Sequence, residues 1–334
     1  MQVMSVEKIL SEWKKNSYKP VYWLEGEEDY YIDQLVNYAE THILTESEAS
    51  FNLAIFYGRD AAWADIVNAC RKYPMFSDKQ VVILKEAQQL REIEKLEVYL
   101  NQPLSSTIFI VAYKEKKLDA RTKFAKLVKE RSEFLSTKKI YDSALPEWVN
   151  AYVAQLQYTI SPKATMLLVD HIGNDLARIE NEIQKILINL KTRTAITEED
   201  VENFVGISKD FNIFELQTAV ANRDLAKAMR VIRYFGDNPK AAPIQLVLPS
   251  LYSFFSKVFM IFGASGADDA IAKQIGVNGF FFKSYSQASR TYGYEGVEKI
   301  LLLLHQYNLR SIGINATRIE DESLLTEMVV KIMM

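Results

Sequence analysis

Short continuous apolar runs alternate with segments of helical period over the first 140 residues, and after that only the helical period continues. Val21-Tyr22-Trp23-Leu24 is such a run, ending at Gly26. It is followed by Phe51 to Tyr57, Val81-Val82-Ile83-Leu84, Ile108-Phe109-Ile110-Val111 and a shorter one around Phe134-Leu135. Uninterrupted apolar strands of this length are buried on both faces, which is the signature of a parallel sheet. The intervening segments repeat at helical spacing, Tyr31, Ile32, Leu35, Val36 and Ala39 in one and Trp63, Ile66, Val67 and Cys70 in another. Strands alternating with helices predict an α/β domain over residues 1–140, its sheet covered on both faces.

The pattern shifts near Tyr141. Residues 141–208 read as helices only, with Trp148, Val149 and Val153 in the first and Ser161-Pro162 as cap and first residue of the second, which ends at Gly173. A stripe of Leu176, Ile179, Ile183, Ile186 and Leu190 follows, then Thr197 with Asp200 as a capping pair. Residues 209–334 are also helical and richer in aromatic residues, broken at Gly236-Asp237-Asn238-Pro239 and at Gly263. The many apolar positions there fit either an oligomerisation collar or the core of an ordinary helical bundle.

Arg71 to Leu90 joins the two kinds of pattern. Helical spacing runs toward Pro74, which disfavours helix at Tyr73, and Met75 and Phe76 are left at the tip before the strand Val81–Leu84. The pair is either core or an exposed apolar plug for a partner. The same α/β frame is where a P-loop protein would hold a nucleotide, in the turn after Gly26, but a working cradle needs GxxxxGK[ST] and the chain has no Gly-Lys dipeptide. Glu25, Glu27, Glu28 and Asp29 crowd that turn with acids suited to a helix N-terminus rather than to a triphosphate. At the end of the third strand, where an acidic pair would serve magnesium, the chain has Lys85-Glu86. No catalytic residue, cofactor or metal is expected.

Composition narrows the class further. With 334 residues, 49% hydrophobic and 25% charged, the chain has room for two or three globular domains. One cysteine, Cys70, and scattered His42, His171 and His305 offer neither a disulfide nor a zinc spacing. Met1 to Leu10 lacks the pattern of a secretory signal, and no apolar run approaches the ~18 residues that span a bilayer, so a cytoplasmic protein with no membrane partner is expected. The net charge of −3 argues against a nucleic-acid-binding surface all round. A local basic run, Lys114 to Arg131, includes Lys117, Arg121, Lys123 and Lys126. It reads first as a solvated helix face, since Leu118, Phe124, Leu127 and Val128 give it an apolar side, and second as a track for a phosphate backbone.

Five stretches in this order resemble the delta-subunit family of bacterial DNA polymerase III. They are Tyr22 to Glu28, Phe76 to Val82, Lys117-Leu118-Asp119 with Lys123, Gly173 to Leu176 with Ile179 to Glu182, and Phe211 to Leu216. The resemblance covers nearly the whole chain. It implies a degenerate AAA+ (P-loop NTPase-like) parallel-sheet domain over 1–140, a small helical lid over 141–208 and a helical collar over 209–334. It also implies a non-catalytic subunit of the polymerase holoenzyme, in a ring with motor subunits and a delta-prime subunit, that binds and opens the sliding clamp on primed DNA. The family's clamp-binding apolar pair falls on Met75 and Phe76, flanked by Tyr73 and Pro74, with methionine where leucine is frequent. Asn308 and Ile312 stand where the family often has aspartate and lysine. Two alternatives stay open, an ATP-hydrolysing AAA+ motor subunit and a DNA-binding replication scaffold without clamp contact.

Overall fold

A computed structural model describes residues 2–190, 192–208, 211–239, 242–314 and 320–334, and divides the chain into two compact units, Met1–Ile140 and Tyr141–Met334. Lys209, where the collar is expected to begin, lies outside the described residues.

The first unit runs α1 (Gln2–Lys14), β1 (Val21–Gly26), α2 (Asp29–His42), α3 (Glu46–Asn52), β2 (Leu53–Tyr57), α4 (Trp63–Cys70), β3 (Gln80–Lys85), the single turn α5 (Glu97–Leu100), β4 (Thr107–Lys114), α6 (Lys123–Arg131) and β5 (Glu133–Thr137). Its five strands are parallel in the order β2-β3-β4-β1-β5, so β4 lies between β3 and β1. Successive side chains of β1 serve opposite faces, as a strand buried on both sides requires. Val21 and Trp23 join Ile66 and Val67 of α4 and Val128 of α6 in one core. Tyr22 meets Trp13 of α1 edge-on at 5.0 Å between ring centroids. The alternating pattern thus found all five strands.

Two boundaries differ from the sequence reading. Phe51 and Asn52 do not open the second strand; they end α3, whose N-terminus is fixed by a capping box between Thr45 and Glu48. And α4 closes at Cys70, ahead of Pro74. Its last carbonyls are met by side chains instead: Gln80 Nε2 donates to the carbonyls of Lys72 at 2.6 Å and Ala69 at 3.1 Å, and Thr107 Oγ1 donates to that of Cys70 at 2.9 Å. Acceptors at and just past the end of α4 are thus met from β3 and β4.

The second unit comprises α7 (Leu145–Gln155), β6 (Thr159–Ile160), α8 (Pro162–Ile172), α9 (Leu176–Asn189), β7 (Ala195–Ile196), α10 (Glu198–Val205), α11 (Ile213–Ala221), α12 (Leu225–Asp237), α13 (Ile244–Ile261), α14 (Asp268–Gln274), α15 (Gly279–Ser311, broken at Gly293) and α16 (Asp321–Met333). The paired β6 and β7 are a small exception to an all-helical reading. By length and apolarity α13 could cross a membrane, contrary to the sequence expectation. Its stripe of Val247, Leu248, Leu251, Phe254, Phe255 and Val258 instead builds the core of the bundle with α12, α15 and α16. Asn308 and Ile312, near the end of α15, are both exposed.

Candidate binding tip and the closed nucleotide position

Between α4 and β3 the chain turns outward. Tyr73 is 81% exposed, Met75 54% and Phe76 91%. Phe76 also has φ of +55°, a left-handed conformation that costs a side chain with a Cβ of the order of 1 kcal/mol or more. A bulky aromatic residue that is both strained and open to water contributes nothing to its own unit's core. Of the two sequence readings of the pair, core or plug, the exposure fits the plug.

The tip is held from α3. Asn52, only 4% exposed, accepts from the Met75 backbone N–H through Oδ1 at 2.7 Å and donates through Nδ2 to the Met75 carbonyl at 2.8 Å. On the other side of Phe76, Ser77 Oγ donates to Glu48 Oε1 at 2.7 Å. Glu48 Oε2 accepts from the backbone N–H and the hydroxyl of Thr45. The Thr45 N–H first, then Ser77 and the Thr45 hydroxyl, hold the Glu48 carboxyl down to about 2. Phe51 of α3, also exposed, presents its ring edgewise to Phe76 at 6.3 Å. Sequence reasoning missed Glu48, Phe51 and Asn52. The Thr45-x-x-Glu48 capping signature was there to find, but the apolar run Phe51–Tyr57 masked the helix that it opens.

The position of a nucleotide cradle is closed. The turn from β1 to α2 is short, and its backbone donors are taken by β5: Glu27 N–H donates to the Thr137 carbonyl at 3.4 Å and Glu28 N–H to Thr137 Oγ1 at 3.2 Å. Gly26 has φ of +139°, and a Cβ there would stand 2.2 Å from the Thr137 carbonyl oxygen, so β1 and β5 meet with no gap. The buried Glu25 carboxylate accepts from Trp23 Nε1 at 3.1 Å and the Leu118 N–H at 3.2 Å, and burial pushes its pKa up. Lys85 Nζ lies 2.5 Å from Glu40, and Lys114 Nζ 2.6 Å from Asp33 and 3.5 Å from Glu86. Cations and acids that could have served a nucleotide neutralise one another. Among the described residues no group of His, Cys, Asp or Glu could hold a metal ion.

Along the basic run, Lys114 is thus drawn into β4's ion pairs, and Arg121 is bidentate to Asp119, with Nη2–Oδ2 at 2.7 Å. Lys117, Lys123 and Lys126 are exposed, while Phe124, Ala125 and Val128 form the buried side of α6. In the second unit a cavity of about 740 Å³ is lined by Asp170, Lys257, Phe214, Phe254, Phe281 and Tyr285. Burial raises the Asp170 carboxyl to about 7, against the opposing pull of Lys257, whose own pKa burial lowers.

Comparison with known proteins places this frame. The family model described as DNA polymerase III, delta subunit, matches residues 22–138, the stretch from β1 to just past β5 that contains the tip. The DNA polymerase III subunit delta of Bacillus subtilis is 23% identical over 94% of this chain and 93% of its own length. Over those residues the chain is similar to the DNA polymerase III delta-subunit family. The solved Bacillus subtilis DNA clamp loader delta protein shares the fold, with a TM-score of 0.56, 22% identity, and coverage of 98% of this chain and 99% of that one. The parallel α/β sheet followed by helices, expected from the sequence, is the fold shared with that protein.

Proposed function

We propose that this chain is a clamp-loader delta subunit acting in DNA replication, non-catalytic in itself, which binds the sliding clamp through Phe76 and Met75 and stabilises its open form. It works in the cytoplasm with ATP-driven motor subunits and a delta-prime subunit, placing the clamp on primed DNA. Its lid spans 141–208 and its collar 209–334. The observation that carries the reading is a strained, 91% exposed Phe76 on a tethered tip, within the residues that match the delta-subunit family model. Tyr73 and Pro74 lead into that tip, and Pro74 limits the backbone freedom of its approach.

Opening follows from differential affinity, since a subunit shifts a ring toward its open state only as far as it binds that state more tightly. Burying a phenylalanine and a methionine side chain contributes roughly 1.5–3 kcal/mol each. Those two anchors are a hot spot within a wider contact. Methionine's flexible thioether fits pockets of several shapes, so its replacement of the family's frequent leucine keeps the contact. Replacing both, Phe76→Ala with Met75→Ala, is expected to weaken clamp binding by about 100-fold or more in a direct binding titration. Undiminished affinity would overturn the site.

A second reading concerns DNA inside the assembly. Lys123 and Lys126 sit at the start of α6, where cations oppose the helix dipole. Neither makes an ion pair among the described residues, so local structure gains nothing from their charge. With Lys117 and Arg121 they are proposed to approach the phosphate backbone.

A further inference from the structure

We infer that α3 is the positioning element of the clamp-binding tip, with Asn52 its principal positioning residue. The inference rests on the clamp reading for its function, though not for its geometry. Phe76 is the one strained residue of the tip, and its two neighbours are tied to the same helix from opposite sides. Asn52 grips both the N–H and the carbonyl of Met75, and Glu48 accepts from Ser77. A side-chain amide matched to one residue's backbone in both directions fixes that segment's orientation, which a single hydrogen bond would leave free to rotate.

Asn52 is itself seated: it is buried, and its Nδ2 also donates to the Glu48 carbonyl one turn back at 3.1 Å. Glu48 is in turn locked by the capping box at Thr45. The chain of contacts runs from the helix cap, through Glu48 and Asn52, to the residues on either side of Phe76. A ring held ready in its bound conformation loses less freedom on docking, and a left-handed Phe76 released from its tethers would relax to other conformations before each encounter. Asn52 therefore acts through Phe76 rather than by touching the partner.

The test measures clamp affinity for Asn52→Ala, Phe76→Ala and the double variant in the full chain, with amide hydrogen exchange at Met75 read alongside. Asn52→Ala is expected to weaken binding by about 10-fold and to speed Met75 exchange, with the sheet amide of Ile83 still protected. In the Phe76→Ala background it is expected to add less than about 2-fold, because the ring it positions is gone. Unchanged affinity in Asn52→Ala, or losses that simply multiply in the double variant, would overturn the inference. Ser77→Ala, which cuts the other tether, repeats the test should Asn52→Ala fail to fold. If Phe76→Ala alone binds as well as the parent, the clamp reading falls, and Met75 exchange then decides by itself whether Asn52 holds the tip.

Discussion

At the scale of single residues, two side chains stand in environments opposite to their chemistry. Phe76 is apolar and lies in water; Asp170 is acidic and lines a cavity that Phe214, Phe254 and Phe281 also line. The first fits the proposed contact with a partner. The second has a consequence for stability, because the folded-state pKa of Asp170, about 7, lies above its ordinary 3.8. The unfolded chain releases that proton first as pH rises, so the folded state loses stability between about pH 4 and pH 7 and recovers none above. A tenfold change in proton affinity corresponds to about 1.4 kcal/mol, and the rise bounds the effect near ~4 kcal/mol, with roughly 1–3 kcal/mol expected after relaxation. Asp170→Asn removes the titration. It should match the parent in urea melts at pH 4 and exceed it by that amount at pH 8; an equal difference at both pH values would contradict this.

Elements are shaped here as much by their neighbours as by their own residues. The apolar face of α4 fixes that it is a helix, and acceptors at and just past its end are met by Gln80 and Thr107 reaching across from β3 and β4. Pro74, a sufficient stop by sequence, acts only on the tip beyond. Gln80→Leu keeps the burial and removes the donor, so the Lys72 carbonyl and Thr107 Oγ1 lose a partner and the Ala69 carbonyl keeps only backbone donors. A loss of about 1–3 kcal/mol is expected, read as a lower urea midpoint. The tip was legible in the sequence as an apolar pair after a proline. Its support was not, because Asn52 is 23 residues from Met75 and an asparagine inside an apolar run carries no local sign of a tertiary bond.

For the whole molecule, the turn after β1, where a P-loop protein would hold a nucleotide, is filled from within. Thr137 takes the turn's N–H groups, and Lys85 and Lys114 pair with nearby acids. Under the proposed function, surface charge should report the DNA partner. Reversing Lys123 and Lys126 to Glu in the assembled loader is expected to make the salt dependence of DNA binding shallower by about 2 in log–log slope, roughly 0.9 for each phosphate no longer neutralised. An unchanged slope would return α6 to the role of a solvated face.

The sequence by itself determined the alternation of strands and helices, the missing phosphate motif and the apolar pair beyond Pro74, because each depends on the order and spacing of nearby residues. Only the tertiary structure decided that the pair is exposed, where α3 ends, which groups meet the acceptors at the end of α4, and how Phe76 is held in its strained conformation. Those outcomes rest on packing and on hydrogen bonds between side chains and backbone groups far apart in the chain, and no local pattern encodes which distant peptide a buried amide will meet.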